Sequence, residues 1–164
     1  MCMLFLFVEG PDDERFVRTH YANKSIKPIK YTGKTPKEVN NLLKGIKRMN
    51  SPYLFFADSD GSSPDERIQK TTTKYAECEA SQVVVVCFEI ESWYLAVLNQ
   101  QASQKLGVKY ISTTDTVTKE QFNSMVPKKM TRLDFILEIL RRYDGEDALQ
   151  RNSSYRKFRA NALA

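Results

Sequence analysis

The chain has little of what most metal and nucleophile chemistry relies on. Among 164 residues there is one histidine, His20. Zinc sites built on imidazole, and catalytic triads that need an imidazole base, therefore have a single candidate. His20 lies among polar residues of a predicted helix and reads as a surface residue. The three cysteines, Cys2, Cys78 and Cys87, are odd in number and have no metal-ligand spacing, which points to reduced thiols in a cytoplasmic setting. No apolar stretch approaches the ~18 residues that span a bilayer, so no membrane partner is expected. The opening "MCMLFLFV" has no basic start and runs into "EGPDDE" without a small-residue cleavage site, so it reads as a strand rather than a signal peptide. A phosphate-binding glycine loop is missing as well, as are internal repeats and low-complexity linkers.

What is present is an ordinary globular composition, 41% hydrophobic and 27% charged, with a net charge of +5. Four short apolar runs read as strands: Met3–Val8, Ile26–Tyr31, Tyr53–Ala57 and Gln82–Phe88, the last containing "VVVVCF". Their near-continuous hydrophobicity predicts a parallel sheet covered on both faces, and Pro28 places the second strand at an edge. Helices are punctuated between them. "TPKE" sets Thr35 as cap, Pro36 at the first position and Glu38 as the return arm of a capping box, and "SPDE" repeats this with Ser63, Pro64 and Glu66. Val39, Leu42, Leu43 and Ile46 form the stripe of a helix lying on a sheet. The alternation predicts an α/β fold with right-handed crossovers and strand order 2-1-3-4.

After the fourth strand the pattern turns helical. Ser92 is placed to cap a helix through "WYLAVLNQ". Leu133, Ile136, Leu137 and Leu140 form a second stripe ended by Gly145, with Arg141 and Arg142 in the last turn. "VKYIS" at 108–112 is a candidate extra strand. Tyr155, Phe158 and Ala162 share one side of a terminal helix with Arg156, Lys157 and Arg159 around the other. One compact molecule is expected, with an α/β core over 1–98 and a helical extension over 99–164 packed on it.

The acids are not scattered. Glu9 follows the first strand, Asp58 and Asp60 the third, Glu89 and Glu91 the fourth, and Asp13 lies one helical turn beyond Glu9. In an open parallel sheet, ligands bind outside the carboxyl ends of the strands, where neighbouring crossovers diverge. Carboxylates gathered there repel one another and need a cation to stay ionised. Oxygen ligands on rigid strand ends suit Mg²⁺ or Mn²⁺, and two such ions can clamp the attacking and leaving oxygens of a phosphodiester. Taken singly, each acid also has a plain reading: Asp12 and Asp13 at the positive end of a helix, "DSDG" as a turn, Glu91 at a helix start. Setting aside the six candidate ligands leaves 14 acids against 25 bases, a net +11 around an acidic pit, which suits a polyanionic substrate.

A glutamate-glycine after the first strand and Asp-x-Asp after the third resemble the TOPRIM (topoisomerase–primase) domain. "EGPDD" and "FEIESWYLA" narrow the resemblance to TOPRIM nucleases of the overcoming-lysogenisation-defect and abortive-infection group, including small stand-alone members. It covers residues 3–93, with "NSSYRKF" as a weaker later echo. The resemblance implies a Rossmann-like TOPRIM fold of about four parallel strands between helices. It also implies DNA cleavage in phage defence, with Glu9, Asp13, Asp58, Asp60 and one of Glu89 or Glu91 holding two Mg²⁺ or Mn²⁺ ions. Glu91 is preferred as the acid nearer the helix start, and Glu9, Asp13, Asp58, Asp60 and Glu91 form the expected catalytic set. A basic residue assists in that family. No motif places it here, and Lys128 and Lys129 are candidates only by charge. An ATPase would have to be a separate subunit, and a homodimer is compatible with the reading. DNA would be held by its backbone without base readout.

Two other readings stand beside this one. Haloacid-dehalogenase-type phosphatases also carry Asp-x-Asp-Gly after an apolar strand, which would make Asp58 a nucleophile and Asp60 its acid/base partner. They carry it on the first strand, whereas two strands precede it here. The chain also fits a non-catalytic module that binds nucleic acid or a partner, with "YRKFR" as its basic surface.

Overall fold

The computed structural model describes residues 2–164. The chain forms two compact units, one running to Val85 and including Leu163, the other comprising Val86–Ala162 with Ala164. The break lies ahead of position 98, and residues 86–98 pack with the helices that follow them.

The order through the first unit is β1 (Leu4–Val8), α1 (Pro11–His20), β2 (Ile26–Lys30), α2 (Pro36–Arg48), β3 (Tyr53–Asp58), α3 (Pro64–Lys74), a single 3₁₀ turn (Ala80–Gln82) and β4 (Val83–Val86), whose last residue is grouped with the second unit. The four strands form an all-parallel sheet in the order β2-β1-β3-β4, flanked by helices in a Rossmann-like α/β arrangement. β1 is central, pairing Leu4–Val8 with Ile26–Lys30 on one side and Phe5–Phe7 with Tyr53–Phe55 on the other. Pro28 sits on the edge strand as expected, since it lacks a ladder N–H. All six residues of β3 are buried, and because successive side chains point to opposite faces, both faces of this strand are covered.

One face packs Phe7, Tyr53 and Phe55 against Val39, Leu43 and Ile46 of α2 and against Tyr75. Phe7 stacks on Phe55 at 5.3 Å, and Tyr31 and Tyr75 close on Phe55 at 4.4 and 5.2 Å. Each buried ring of this kind contributes roughly 1.5–3 kcal/mol relative to exposure. Leu42, expected on the buried stripe of α2, is 37% exposed; the buried face turns on Val39, Leu43 and Ile46. Both sequence-predicted capping boxes form. Thr35 accepts from the Glu38 N–H while Glu38 accepts from Thr35, and Ser63 and Glu66 do the same.

The second unit is helical: α4 (Glu91–Ala96), α5 (Gln100–Leu106), α6 (Lys119–Met125), α7 (Arg132–Arg141), α8 (Gly145–Arg151) and α9 (Ser153–Arg159). Its core contains Trp93, stacked on Phe158 at 5.1 Å and edge-on to Tyr155 at 5.3 Å, with Tyr94, Phe122 and Phe135 also buried. Several local expectations are corrected here. Residues 108–112 are irregular, not a strand. Ser92 lies inside α4, where its hydroxyl donates to the Cys87 carbonyl instead of capping the helix. α7 buries Phe135, Ile136 and Ile139, while Leu133 and Leu137 are 46% and 38% exposed. Gly145 opens α8 rather than ending α7, and a Cβ there would lie 2.8 Å from both the Tyr155 hydroxyl and Arg159 Nη1, so a larger residue would have to displace them. Ala162 lies beyond the end of α9 and is exposed. No helix among the described residues is long and apolar enough to cross a membrane.

A carboxylate rim as candidate metal centre

Parallel pairing decides where the acids go. The register Phe7↔Phe55 carries both chains off the sheet at the same edge, so the residue after β1 meets the end of β3. Glu9 is that residue. Its Oε1 accepts from the Asp58 backbone N–H at 3.4 Å, the Tyr31 hydroxyl at 2.9 Å and Arg67 Nη2 at 3.2 Å. Thr32 Oγ1 fastens the Glu9 carbonyl at 2.7 Å. Three donors on one oxygen fix the carboxylate.

Tyr31, just past β2, is part of this clamp. Its hydroxyl is within hydrogen-bonding distance of Glu9 Oε1 and of the Phe56 carbonyl, at 2.8 Å. Burial, reinforced by the Glu9 negative charge, pushes its phenol far above the ordinary range, so it remains a proton donor.

Asp58 is the last residue of β3 and is 9% exposed. Its Oδ1 is buried and has no hydrogen-bond partner. Burial, then the hydrogen bond and charge of Glu9, then the charges of Asp13 and Asp60, push its pKa up to about 11. A carboxyl in this position must hold a proton or be offset by a cation. Asp60 follows at φ 49°, in the left-handed region that aspartate tolerates, and Gly61 continues the turn at φ 83°. This bend brings a carboxylate oxygen of Asp60 within 4.8 Å of one on Asp58.

Asp13 is on the first turn of α1, 6% exposed, and its Oδ2 accepts from the Gly10 N–H at 3.1 Å. It therefore serves the helix start as a capping residue and also contributes negative charge at Asp58. Asp12, beside it on the first turn of α1, pairs with Arg15 at 2.9 Å. Family models, curated proteins and solved structures give no match to this chain.

The first unit thus brings Glu9, Asp13, Asp58 and Asp60 to one rim. Glu89 and Glu91 belong to the second unit. There Glu91 is 4% exposed and ion-paired with Arg132 Nη2 at 2.6 Å. Burial raises its pKa, as does Glu89, while Arg132 opposes the shift. Glu89 is half-buried and its Oε2 accepts from the Lys119 N–H at 2.9 Å. Phe88, immediately before it, is held at φ 50°, an uncommon conformation for a bulky residue. Lys128 and Lys129 lie on an exposed turn of the second unit, and His20 ends α1 edge-on to Tyr21.

Sequence reasoning missed Arg67 and Tyr31. Arg67 reaches Glu9 from α3, across 58 residues of chain. The available signal was the spacing Arg67, Lys70, Lys74, which puts three bases on one helix face directly after the Asp-x-Asp turn. Tyr31 was read only as the end of an apolar strand.

Proposed function

We propose that the first unit is the metal-binding core of a TOPRIM-type phosphodiesterase that hydrolyses nucleic-acid backbone in the presence of Mg²⁺ or Mn²⁺. One observation carries the reading: Asp58, buried at the end of a central strand with an unpartnered Oδ1, is surrounded by the charges of Glu9, Asp13 and Asp60. An arrangement that raises a carboxyl this far from its ordinary range is costly unless a ligand uses it, and four hard oxygen donors on strand ends and one helix start are a donor set for Mg²⁺ or Mn²⁺.

Glu9 and Asp58 are the central ligands in this reading, with Asp60 and Asp13 beside them. Divalent ions bound there would supply electrophilic activation of the phosphoryl group and a nucleophile available near neutral pH. The protein's part is orientation. Tyr31, Arg67 and the Asp58 N–H hold Glu9 through one of its two oxygens. Tyr31 stays protonated and so does not compete with the acids for a cation. DNA is the substrate favoured by the motif resemblance, and phage defence the setting it implies.

Cleavage of supercoiled plasmid in Mg²⁺, Mn²⁺ or EDTA tests this, with Asp58→Ala alongside. Nicking that needs the metal and is lost in Asp58→Ala is the expected result. Turnover of a small phosphomonoester with intact plasmid would replace the reading by a phosphatase. Retention of DNA without cutting in any metal would replace it by a binding module.

A further inference from the structure

The rim of acids is bordered by bases. Arg67, Lys70 and Lys74 lie on one face of α3 and line a cavity of about 210 Å³ with Thr32, Thr71 and Glu9. At ~30 Å³ per water in the liquid, that volume holds a phosphate group with part of its hydration.

These bases are not engaged as surface lysines often are. Lys44 and Lys47 of α2 pair with Glu77 at 3.7 and 3.0 Å. Lys70 has only the Ser62 hydroxyl, at 3.5 Å, and Lys74 only the face of its neighbour Tyr75, with Nζ 5.4 Å from the ring centre. Neither has a carboxylate partner among the described residues. Arg67 bonds Glu9 through Nη2, while its Nε is buried without a hydrogen-bond partner. The nearby Glu66 is turned back to the Ser63 N–H in its capping box and does not neutralise this face.

We propose that the Arg67–Lys70–Lys74 face is an anion subsite holding a backbone phosphate of a nucleic-acid strand beside the Glu9–Asp58 rim. The assignment rests on the nucleic-acid reading above and adds where the strand lies. Arg67 is shared: Nη2 positions Glu9, and Nη1 with the guanidinium charge is left for the anion. Glu9 is the single acid lining the cavity, so a cation on the rim offsets the one charge that opposes an incoming phosphate. Cation and strand binding therefore strengthen each other, by the same factor in both directions.

The test is fluorescence anisotropy with a labelled single-stranded decadeoxynucleotide, titrated in EDTA and in Ca²⁺ over a range of salt. Lys70→Ala/Lys74→Ala is expected to weaken binding about tenfold near 0.15 M salt and to flatten the log K–log salt slope by about 1.4, since each lost phosphate contact on a single strand carries about 0.7. Both positions are exposed and alanine favours helix, so the variant keeps its fold, checked by circular dichroism. Lys44→Ala/Lys47→Ala is the control and leaves affinity unchanged. Ca²⁺ tightens binding in wild type. Equal affinity and slope in wild type and Lys70→Ala/Lys74→Ala overturns the subsite, as does failure of wild type to bind the strand. Displacement by dAMP at equal phosphate concentration overturns the strand assignment in favour of a free phosphoester. If wild type binds through these lysines but cuts nothing in any metal, the nuclease reading falls and the subsite stands; cleavage with unchanged binding by the lysine variant does the reverse.

Discussion

Both units bury charge, and they treat it in opposite ways. In the second unit Arg151 is 5% exposed, yet its guanidinium donates to the carbonyls of Leu95, Ala96, Leu98 and Ile111 and pairs with Asp147 at 3.0 Å. Next to it Asn152, fully buried, gives its amide N–H groups to Ser92 and Thr114 and receives Ser154 and the Tyr155 N–H on its oxygen. Ser154 in turn accepts from Trp93 Nε1 at 2.8 Å. Arg151 ties down the last carbonyls of α4, and the network is complete. In the first unit Asp58 is about as buried, but the groups around it are acids and its Oδ1 has no donor. A satisfied buried network specifies a structure, whereas a buried acid left among acids is structure held ready for something else.

The contrast breaks most visibly at Arg151. Arg151→Ala should cost about 3–5 kcal/mol in urea denaturation, because Asp147 loses its cation and four carbonyls lose their donor. Asp58→Asn should do the opposite. With metal removed, it is expected to stabilise the protein at pH 8 by about 1–3 kcal/mol, since a neutral amide has acceptors on Glu9, Asp13 and Asp60 and removes a carboxyl that resists ionisation. A loss of stability in that variant would mean the rim is satisfied in a way its hydrogen bonds do not reveal.

A pH scan sharpens the same point. With a folded pKa near 11, Asp58 retains its proton in the folded chain after it has lost it in the unfolded one. The folded state then binds more protons between the ordinary aspartate range and that value, so stability is greatest below the unfolded pKa and falls as pH rises. For one proton the slope is at most about 1.4 kcal/mol per pH unit. Melting temperature of EDTA-treated wild type should fall from pH 5 to 8, with Asp58→Asn lacking that contribution. Saturating Mn²⁺ should restore about 2.7 kcal/mol in wild type at a hundredfold excess over Kd, and none in Asp58→Asn. The smallest effect is expected on α7, where Leu137→Lys should stay within about 0.5 kcal/mol of wild type while its neighbour Ile136→Ala costs about 2–4 kcal/mol.

That last pair shows where the sequence was ambiguous. α7 carries apolar residues at 133, 135, 136, 137, 139 and 140, so two overlapping stripes satisfy helical spacing, and only packing chooses the one containing Phe135, Ile136 and Ile139. The sheet had no such ambiguity. β1 and β3 are continuous in hydrophobicity and bounded by Pro, Gly or Asn residues, and the ends of all four strands fall within about two residues of the expected positions. The rim was legible for the same reason, since Glu9, Asp58 and Asp60 directly follow strands and parallel order carries them to one edge. Arg67 and Tyr31 were not, because neither is adjacent to an acid in the chain and their roles arise from crossovers that bring α3 and the end of β2 to Glu9. Asp13 was legible as a cap, which forms at Gly10, and its carboxylate also adds negative charge at Asp58.

A consequence follows from Glu9 being gripped by one oxygen. A glutamate free to rotate would have to be immobilised by whatever it binds, at up to about 1.5–2 kcal/mol of lost side-chain freedom. Here Tyr31, Arg67 and a backbone amide have already stilled it during folding. In the proposed metal site its remaining oxygen would then act as a stationary gauge, set by the sheet, and would discriminate among cations by radius more sharply than a mobile carboxylate does.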